Sequence, residues 1–372
     1  MLWRVEEHEA LTEREWDAAV ARAAIAAIVA DAEAAESDGG WPGHPLDDVP
    51  TDRRLTSLYL GGAGMTWALA TLGSRLDAPA AIAAALRRCR EAPDFDDFSH
   101  AASLLMGETG VLIVADGVGA GVADRDRLRE LVHANREHPT WELMWGSPGT
   151  ILAARACGLE DEWRDGAELL YARWDESAEM WEGELYGQPQ NYLGPVHGFA
   201  GNVHALRGIV GDEVLRERVG RLLTRTAWRE DGLINWPPRD GPASEEAAKI
   251  RVQWCHGAPG LVTTLGDLMP LELAIGGGEL TWRAGPLRKG AGLCHGTAGN
   301  GFAFLKLHDV TGDTIWLERG RRFAMHAIEQ VERERAALGR GRYTLFTGDV
   351  GVALYLRSCL EADAAFPIID TF

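Results

Sequence analysis

Trp254-Cys255-His256-Gly257-Ala258-Pro259-Gly260 and, one short repeat later, Leu293-Cys294-His295-Gly296-Thr297-Ala298-Gly299 decide the reading of this chain. Working outward from them, the same Gly-x-x-G spacing recurs at Gly61, Gly107, Gly146, Gly198 and Gly348. That makes seven copies, with second glycines at Gly64, Gly110, Gly149, Gly201, Gly260, Gly299 and Gly351. Successive copies stand 46, 39, 52, 59, 39 and 52 residues apart. Self-similarity at such a period is the mark of stacked supersecondary units that share one core.

Each copy opens a run rich in Ala, Leu and aromatics, as in Met65 to Leu72, Val111 to Ala115 and Phe302 to Leu307. These runs are apolar on every side, so they read as buried helices. Charged stretches separate them, at 80–92, 124–138, 160–174, 212–228 and 313–338. Apolar residues there recur at three- and four-residue spacing, as Leu215, Val219, Leu222 and Leu223 do, which describes helices with one wet face. Strand signals are weak. Residues 9–37 read as a long Ala- and Glu-rich helix and 37–50 as a loop. The expectation is all-α, with an inner and an outer helix repeated about seven times. One domain would cover 1–372, its repeats starting near residue 55 after an N-terminal helix and loop at 1–54. The glycines would permit positive φ in the turn before each inner helix and close approach of neighbouring helix ends. Helix N-termini gathered on one rim would surround a polar depression with their unpaired N–H groups. A closed ring is favoured over an open superhelix because the two cysteine motifs have to meet.

The chain carries 37 Lys and Arg against 56 Asp and Glu, a net charge of −19. Such a surface is a poor partner for nucleic acid or anionic membrane. No basic segment followed by an apolar stretch begins the chain, so a secretory signal is not expected. No apolar run reaches the roughly 18 residues of a membrane span. Five widely spread cysteines, an odd number, do not make a disulfide framework. A reducing cytoplasm fits them better, and clustered thiols there read as metal ligands or catalytic groups.

Cys255, Cys294 and His295 form the central constellation. Cys and His are preferred zinc ligands, and three protein ligands on one ion leave a fourth position open, as catalytic sites do. The two cysteines are one short repeat apart, so adjacent repeats would set them side by side. Cys89, Cys157 and Cys359 lack such neighbours and read as small apolar core residues. His256 repeats the Cys-His-Gly pattern, so spacing leaves open whether it or His295 binds metal. Both together would close the site, and a free His256 would stand beside the metal as an acid or base. His197 precedes its own Gly-x-x-G in the same way and is aimed at the same rim. Glu142 lies four residues before Gly146 and Arg251 four before Cys255. Glu142 could fix an imidazole tautomer and Arg251 could hold an anionic intermediate; an ordinary surface ion pair is the plainer reading of both. His8, His44, His100, His133, His138, His204, His308 and His326 read as structural or solvent-facing. No copy of the motif carries the further glycine and Lys-Ser/Thr of a phosphate loop.

The stretches Trp254 to Gly260 and Gly292 to Asn300, with the seven Gly-x-x-G copies, resemble the lanthionine synthetase C-like family over roughly residues 55–370. Cys-His-Gly-Ala-Pro-Gly at the first cysteine, and the closing Tyr343 to Gly351, are more similar to its eukaryotic-type branch. The resemblance implies an α/α toroid of seven inner and seven outer helices, with the Gly-x-x-G motifs at the inner-helix ends. It implies one zinc ion on Cys255, Cys294 and His295, and polar active-site positions at Glu142, Arg251, His197 and His256. It implies thiol addition to dehydroalanine or dehydrobutyrine, forming a thioether. The thiol is a peptide cysteine or glutathione, and Lys289 and Arg342 are similar to the branch's cationic glutathione contacts. The partner is then a peptide or protein carrying dehydroamino acids. The alternative is a non-catalytic scaffold that binds zinc and glutathione. Thr347 departs from the branch pattern, which has glutamate there. A glycosidase toroid would need paired carboxylates and no thiolate site.

Overall fold

The computed structural model describes residues 2–47, 49–95, 102–241 and 250–372, so His100 lies outside the described residues. Among them the chain is mostly helical, with fourteen α-helices. They are α1 (Ala18–Ala35), α2 (Gly62–Thr71), α3 (Ala78–Glu91), α4 (Glu108–Gly117), α5 (Arg125–Asn135), α6 (Ser147–Ala156) and α7 (Glu160–Ala172). There follow α8 (Phe199–Ala205), α9 (Asp212–Thr226), α10 (Ala258–Leu265), α11 (Leu271–Ala284), α12 (Thr297–Thr311), α13 (Thr314–Leu338) and α14 (Asp349–Glu361). The first glycine of each motif is the N-cap of one even-numbered helix. Each even-numbered helix touches the next, and α14 touches α2, so the contacts return to their start.

The two sets bury differently. Every residue of α10 is buried, as are the first eight of α4. In α9 the apolar Leu215, Val219, Leu222 and Leu223 are buried and most of the charged residues between them are not. None of the fourteen is long and apolar enough to cross a membrane.

The glycines act more through close approach than through positive φ. Only Gly257 among the seven capping glycines has a left-handed φ, +99°. At each second glycine a Cβ would overlap the carbonyl oxygen of the residue six positions back, Trp254 for Gly260 and Leu293 for Gly299. The chain folds back on itself there, and the missing side chain lets the helix start against its own entry loop.

The long helix expected over 9–37 is shorter, because residues 9–17 are not helical. Asp17 caps α1 by accepting from Ala19 N and Val20 N at 2.7 and 3.2 Å. Upstream, Thr12 Oγ1 donates to Glu329 at 2.6 Å, and Glu9 accepts from Gln330 and pairs with His326 and Arg333 at 2.8 Å. Bonds to α13 thus replace the bonds a helix would have made with itself. Two short hairpins also form, β1 (Gly183–Leu185) with β2 (Gln188–Gln190) and β3 (Trp228–Glu230) with β4 (Leu233–Asn235). Their turns, Tyr186-Gly187 and Asp231-Gly232, take positive φ at both residues, as a two-residue hairpin requires.

Helix α11 has no counterpart among the charged stretches. It holds Gly276-Gly277-Gly278, a poor helical sequence. A Cβ on Gly277 would press on Val262 at 2.8 Å, and one on Gly276 would press on Ile234. Packing contact replaces propensity at that point.

Candidate metal centre

The residue two places before each first glycine shares a backbone belt. Cys255 N donates to Cys294 O at 3.1 Å, Cys294 N to Phe346 O at 2.8 Å, Phe346 N to Tyr59 O at 3.4 Å and Tyr59 N to Leu105 O at 2.8 Å. On the opposite side Met144 N donates to Val196 O at 3.2 Å. Five of the seven positions are thus joined in one series and the other two in a pair of their own. Cysteines 39 residues apart become hydrogen-bonded neighbours because their repeats are adjacent.

The belt floors a cavity of about 610 Å³. Tyr59, Met144, Val196, Cys255 and Cys294 line it from the belt, and His197, His256 and His295 line it from the next position along. Glu6, Glu7, Arg251, Gln253, Leu287, Arg288 and Lys289 complete the wall. The N-terminal segment is fastened there: Arg288 N donates to Glu7 O at 2.9 Å, and the Arg288 guanidinium donates to His8 O at 3.0 Å.

One sulfur each from Cys255 and Cys294 and one ring nitrogen of His295 lie within 4.8 Å of one another. Two soft sulfurs and an imidazole that converge in this way fit a zinc ion, whose bonds of about 2.0–2.3 Å span such a triangle. His256 is not in the converging group. Its ring lies 6.2 Å from that of His197 and 5.4 Å from that of Tyr192, centroid to centroid. The two sulfurs are close enough that each sets the other's ionisation: the neighbouring Cys294 thiol, and then His256 and His295, favour the ionised form of Cys255. Cys255 is held well below the usual thiol range and Cys294 is pushed well above it.

Glu142 is fully buried and accepts from Met144 N at 3.1 Å and Trp145 N at 2.7 Å. Its Oε2 also meets His197 Nδ1 at 2.8 Å. Burial pushes the His197 imidazole down, but the hydrogen bond and charge of Glu142 outweigh it, with help from Cys255, and the net shift is upward. Glu142 is thus the partner of His197, and Arg251 lines the cavity separately. Lys289 is exposed and lines the cavity.

Arg342 does not line the cavity. Its side chain is buried against Asp47, with Nε to Oδ1 at 2.9 Å, and also donates to Leu46 O. Thr347, at the departing position, donates its hydroxyl to the same Asp47 oxygen at 2.7 Å. A carboxylate from the 37–50 loop therefore reaches the last repeat. Tyr59 and Gln253 were not singled out from the sequence. For Tyr59 the signal was available, because it precedes Gly61 by two residues as Cys255 and Cys294 precede Gly257 and Gly296.

Comparison with known proteins agrees with this geometry. Residues 6–371 match the family described as lanthionine synthetase C-like protein. The glutathione S-transferase LANCL1 of Danio rerio is 32% identical over 192 residues, 49% of this chain and 46% of that protein. The LanC-like protein GCL1 of Arabidopsis thaliana is 32% identical over 190 residues, 47% of this chain and 42% of that protein. The matched stretch spans less than half the length of either relative. Nisin cyclase superposes with a TM-score of 0.57 at 14% identity, over 92% of this chain and 94% of its own, which makes the fold an α/α toroid of that type. With repeats, cavity and donor triad in place, the chain belongs to the lanthionine synthetase C-like family.

Proposed function

We propose that this protein adds a thiol, from a peptide cysteine or from glutathione, across the double bond of a dehydroalanine or dehydrobutyrine residue, forming a thioether. The observation that carries the reading is the convergence of Cys255, Cys294 and His295 on the floor of a cavity that His197 also lines, backed by Glu142. The relatives' names, a glutathione transferase and a cyclase, support it. Fourteen helices whose even-numbered members contact each other in a closed series support two layers of seven in one domain. Five unpaired cysteines fit a reducing, cytoplasmic location.

A zinc ion on Cys255, Cys294 and His295, bound once per chain, would acidify an incoming thiol and present it as thiolate. The thiol proton departs to solvent or a neighbouring imidazole. The sulfur then bonds to the β-carbon of the alkene, and the π pair moves onto the carbonyl oxygen as an enolate. Arg251, on the cavity wall, offers positive charge to that oxygen. His197, its imidazole pushed upward by the hydrogen bond and charge of Glu142, delivers a proton to the α-carbon, with His256 as the second imidazole in reach of the cavity. Lys289 holds a substrate carboxylate at the mouth. The alternative, a scaffold that binds zinc and glutathione without catalysis, uses the same three donors and the same Lys289.

The test is to incubate zinc-loaded protein with glutathione and a dehydroalanine peptide and to follow the adduct by mass. Wild type forms it. Cys255→Ala, Cys294→Ala and His295→Ala lose metal and adduct together, whereas His256→Ala keeps the metal. Metal binding without adduct for any thiol or peptide would leave the scaffold reading, and absence of metal from reduced wild type would remove both.

A further inference from the structure

We infer that Gln253 and Tyr59, set beside Cys255 and Cys294, keep the two cysteine sulfurs as ligands and not as nucleophiles; the inference rests on the thiol-addition reading. Gln253 Nε2 donates to Cys255 Sγ at 2.9 Å. The side chain is aimed there by the backbone: Gln253 N donates to His256 O at 3.1 Å and His256 N to Gln253 O at 3.0 Å. That bridge closes a tight turn at Trp254-Cys255 and brings residue 253 back beside the sulfur. Tyr59 serves the other cysteine. Its ring lies flat on Phe346, centroids 4.8 Å apart and planes 6° apart. Its side chain and that of Cys294 line the same cavity. The belt fixes this placement, since Tyr59, Phe346 and Cys294 follow one another along it.

The chemistry gives the pair a task. Were zinc held by Cys255, Cys294 and His295, an incoming thiol would be a third sulfur beside the two resident ones, all open to an electrophilic alkene. Gln253 and Tyr59 both line the cavity, as do both cysteines, so the resident sulfurs are within reach of whatever enters. Attack by Cys255 or Cys294 would bond its sulfur to the β-carbon, place the π pair on the carbonyl oxygen and draw a proton to the α-carbon. The ligand would become a thioether and the site would be lost. A hydrogen bond to a thiolate withdraws charge from it and is stronger than a neutral one. Loading both resident sulfurs leaves the substrate sulfur as the most electron-rich of the three. Hydrogen bonds around a metal site tune its ligands in this way generally.

The test uses the full chain loaded with zinc, as wild type, Gln253→Met and Tyr59→Phe, variants that keep shape and remove the donor. Iodoacetamide is the probe, forming a sulfur–carbon bond with loss of iodide, and each cysteine is followed by mass spectrometry. Gln253→Met accelerates alkylation of Cys255 about tenfold, equivalent to about 1.4 kcal/mol, with Cys294 at its wild-type rate. Tyr59→Phe does the reverse. No acceleration, or equal acceleration at both sulfurs, overturns the inference. If Gln253→Met does not fold, Gln253→Glu carries the same expectation for Cys255, because a carboxylate of that shape only accepts. Zinc content is measured separately. Wild type without zinc would take the thiol-addition reading down as well, whereas unchanged selectivity in zinc-loaded variants would sink only this inference.

Discussion

Glu142 and His197, 55 residues apart in sequence, meet at 2.8 Å between Oε2 and Nδ1, with the carboxylate wholly buried and the imidazole opening on the cavity. A carboxylate only accepts, so Nδ1 carries the proton and Nε2 is the atom left for a substrate. The pair thereby sets both the tautomer and the charge of the imidazole.

Glu142→Gln keeps the shape and removes the charge. Burial would then dominate, and the His197 imidazole should titrate below its ordinary value instead of above it. An NMR pH titration of the His197 ring checks this. Thiol addition at neutral pH should slow by about 100-fold, the lower end of what general acid catalysis supplies, with metal content unchanged. The pair also contributes stability where His197 is charged. That contribution is complete below the ordinary imidazole pKa and is lost as pH rises through the higher folded one. A His197 titration identical in the variant would show that Glu142 is not the cause of the shift.

Lys289 and Arg342 should separate when mutated, although the sequence gives them one role. Lys289 is exposed at the cavity. Lys289→Ala should raise the KM for an anionic thiol several-fold and leave the urea midpoint in place. Arg342→Ala strands a buried Asp47 carboxylate, a loss of about 3–5 kcal/mol where a buried pair is broken from one side. A folded, fully stable Arg342→Ala with a raised KM would return Arg342 to the substrate.

How much was legible follows from what kind of interaction decides each feature. Gly-x-x-G and the paired Cys-His-Gly motifs are local and periodic, so the repeat and the two cysteine donors could be read directly. Spacing could not separate His256 from His295, because which imidazole turns toward the sulfurs depends on the backbone belt and not on sequence neighbours. Asp47 against Arg342 and Thr347 was invisible for the same reason, being a contact across about 300 residues. Helix α11 escaped because three glycines argue against a helix, and only the packing of Val262 and Ile234 explains them. The shortened α1 escaped because composition cannot show that Glu9 and Thr12 are bound to α13.

Gly299→Ala should be among the most damaging single substitutions in the chain. Its Cβ would overlap Leu293 O and crowd Trp254 Cβ at 3.1 Å, just below the Cys294-His295 pair. Backbone on one side cannot yield without moving the ligands, so a stability loss above about 3 kcal/mol is expected. Gly117→Ala is the control: it ends α4 with nothing within 4 Å of its Cβ, and it should stabilise by about 0.5 kcal/mol. Urea unfolding of both, with metal content for Gly299→Ala, tests whether close approach or mere helix propensity keeps the glycine.

His204 should make the fold acid-sensitive. Its ring is buried, with Nε2 donating to Ile369 O at 2.9 Å and standing 3.6 Å from the Asp370 carboxylate. Burial is the largest influence and outweighs Asp370, so the pKa falls to about 4. Unfolded, the imidazole titrates near its ordinary value of about 6.5. Between those two values the unfolded chain binds a proton that the folded chain refuses, so stability falls as pH falls, by up to about 1.4 kcal/mol per pH unit for this one group. His204→Gln offers a donor to Ile369 O without a titrating ring. Its unfolding free energy, measured in urea from pH 7 downward, should lose less with each step of acidification than wild type does. Parallel slopes for the two proteins would mean that the proton is taken up elsewhere, with the buried His8 and His44 the next residues to replace.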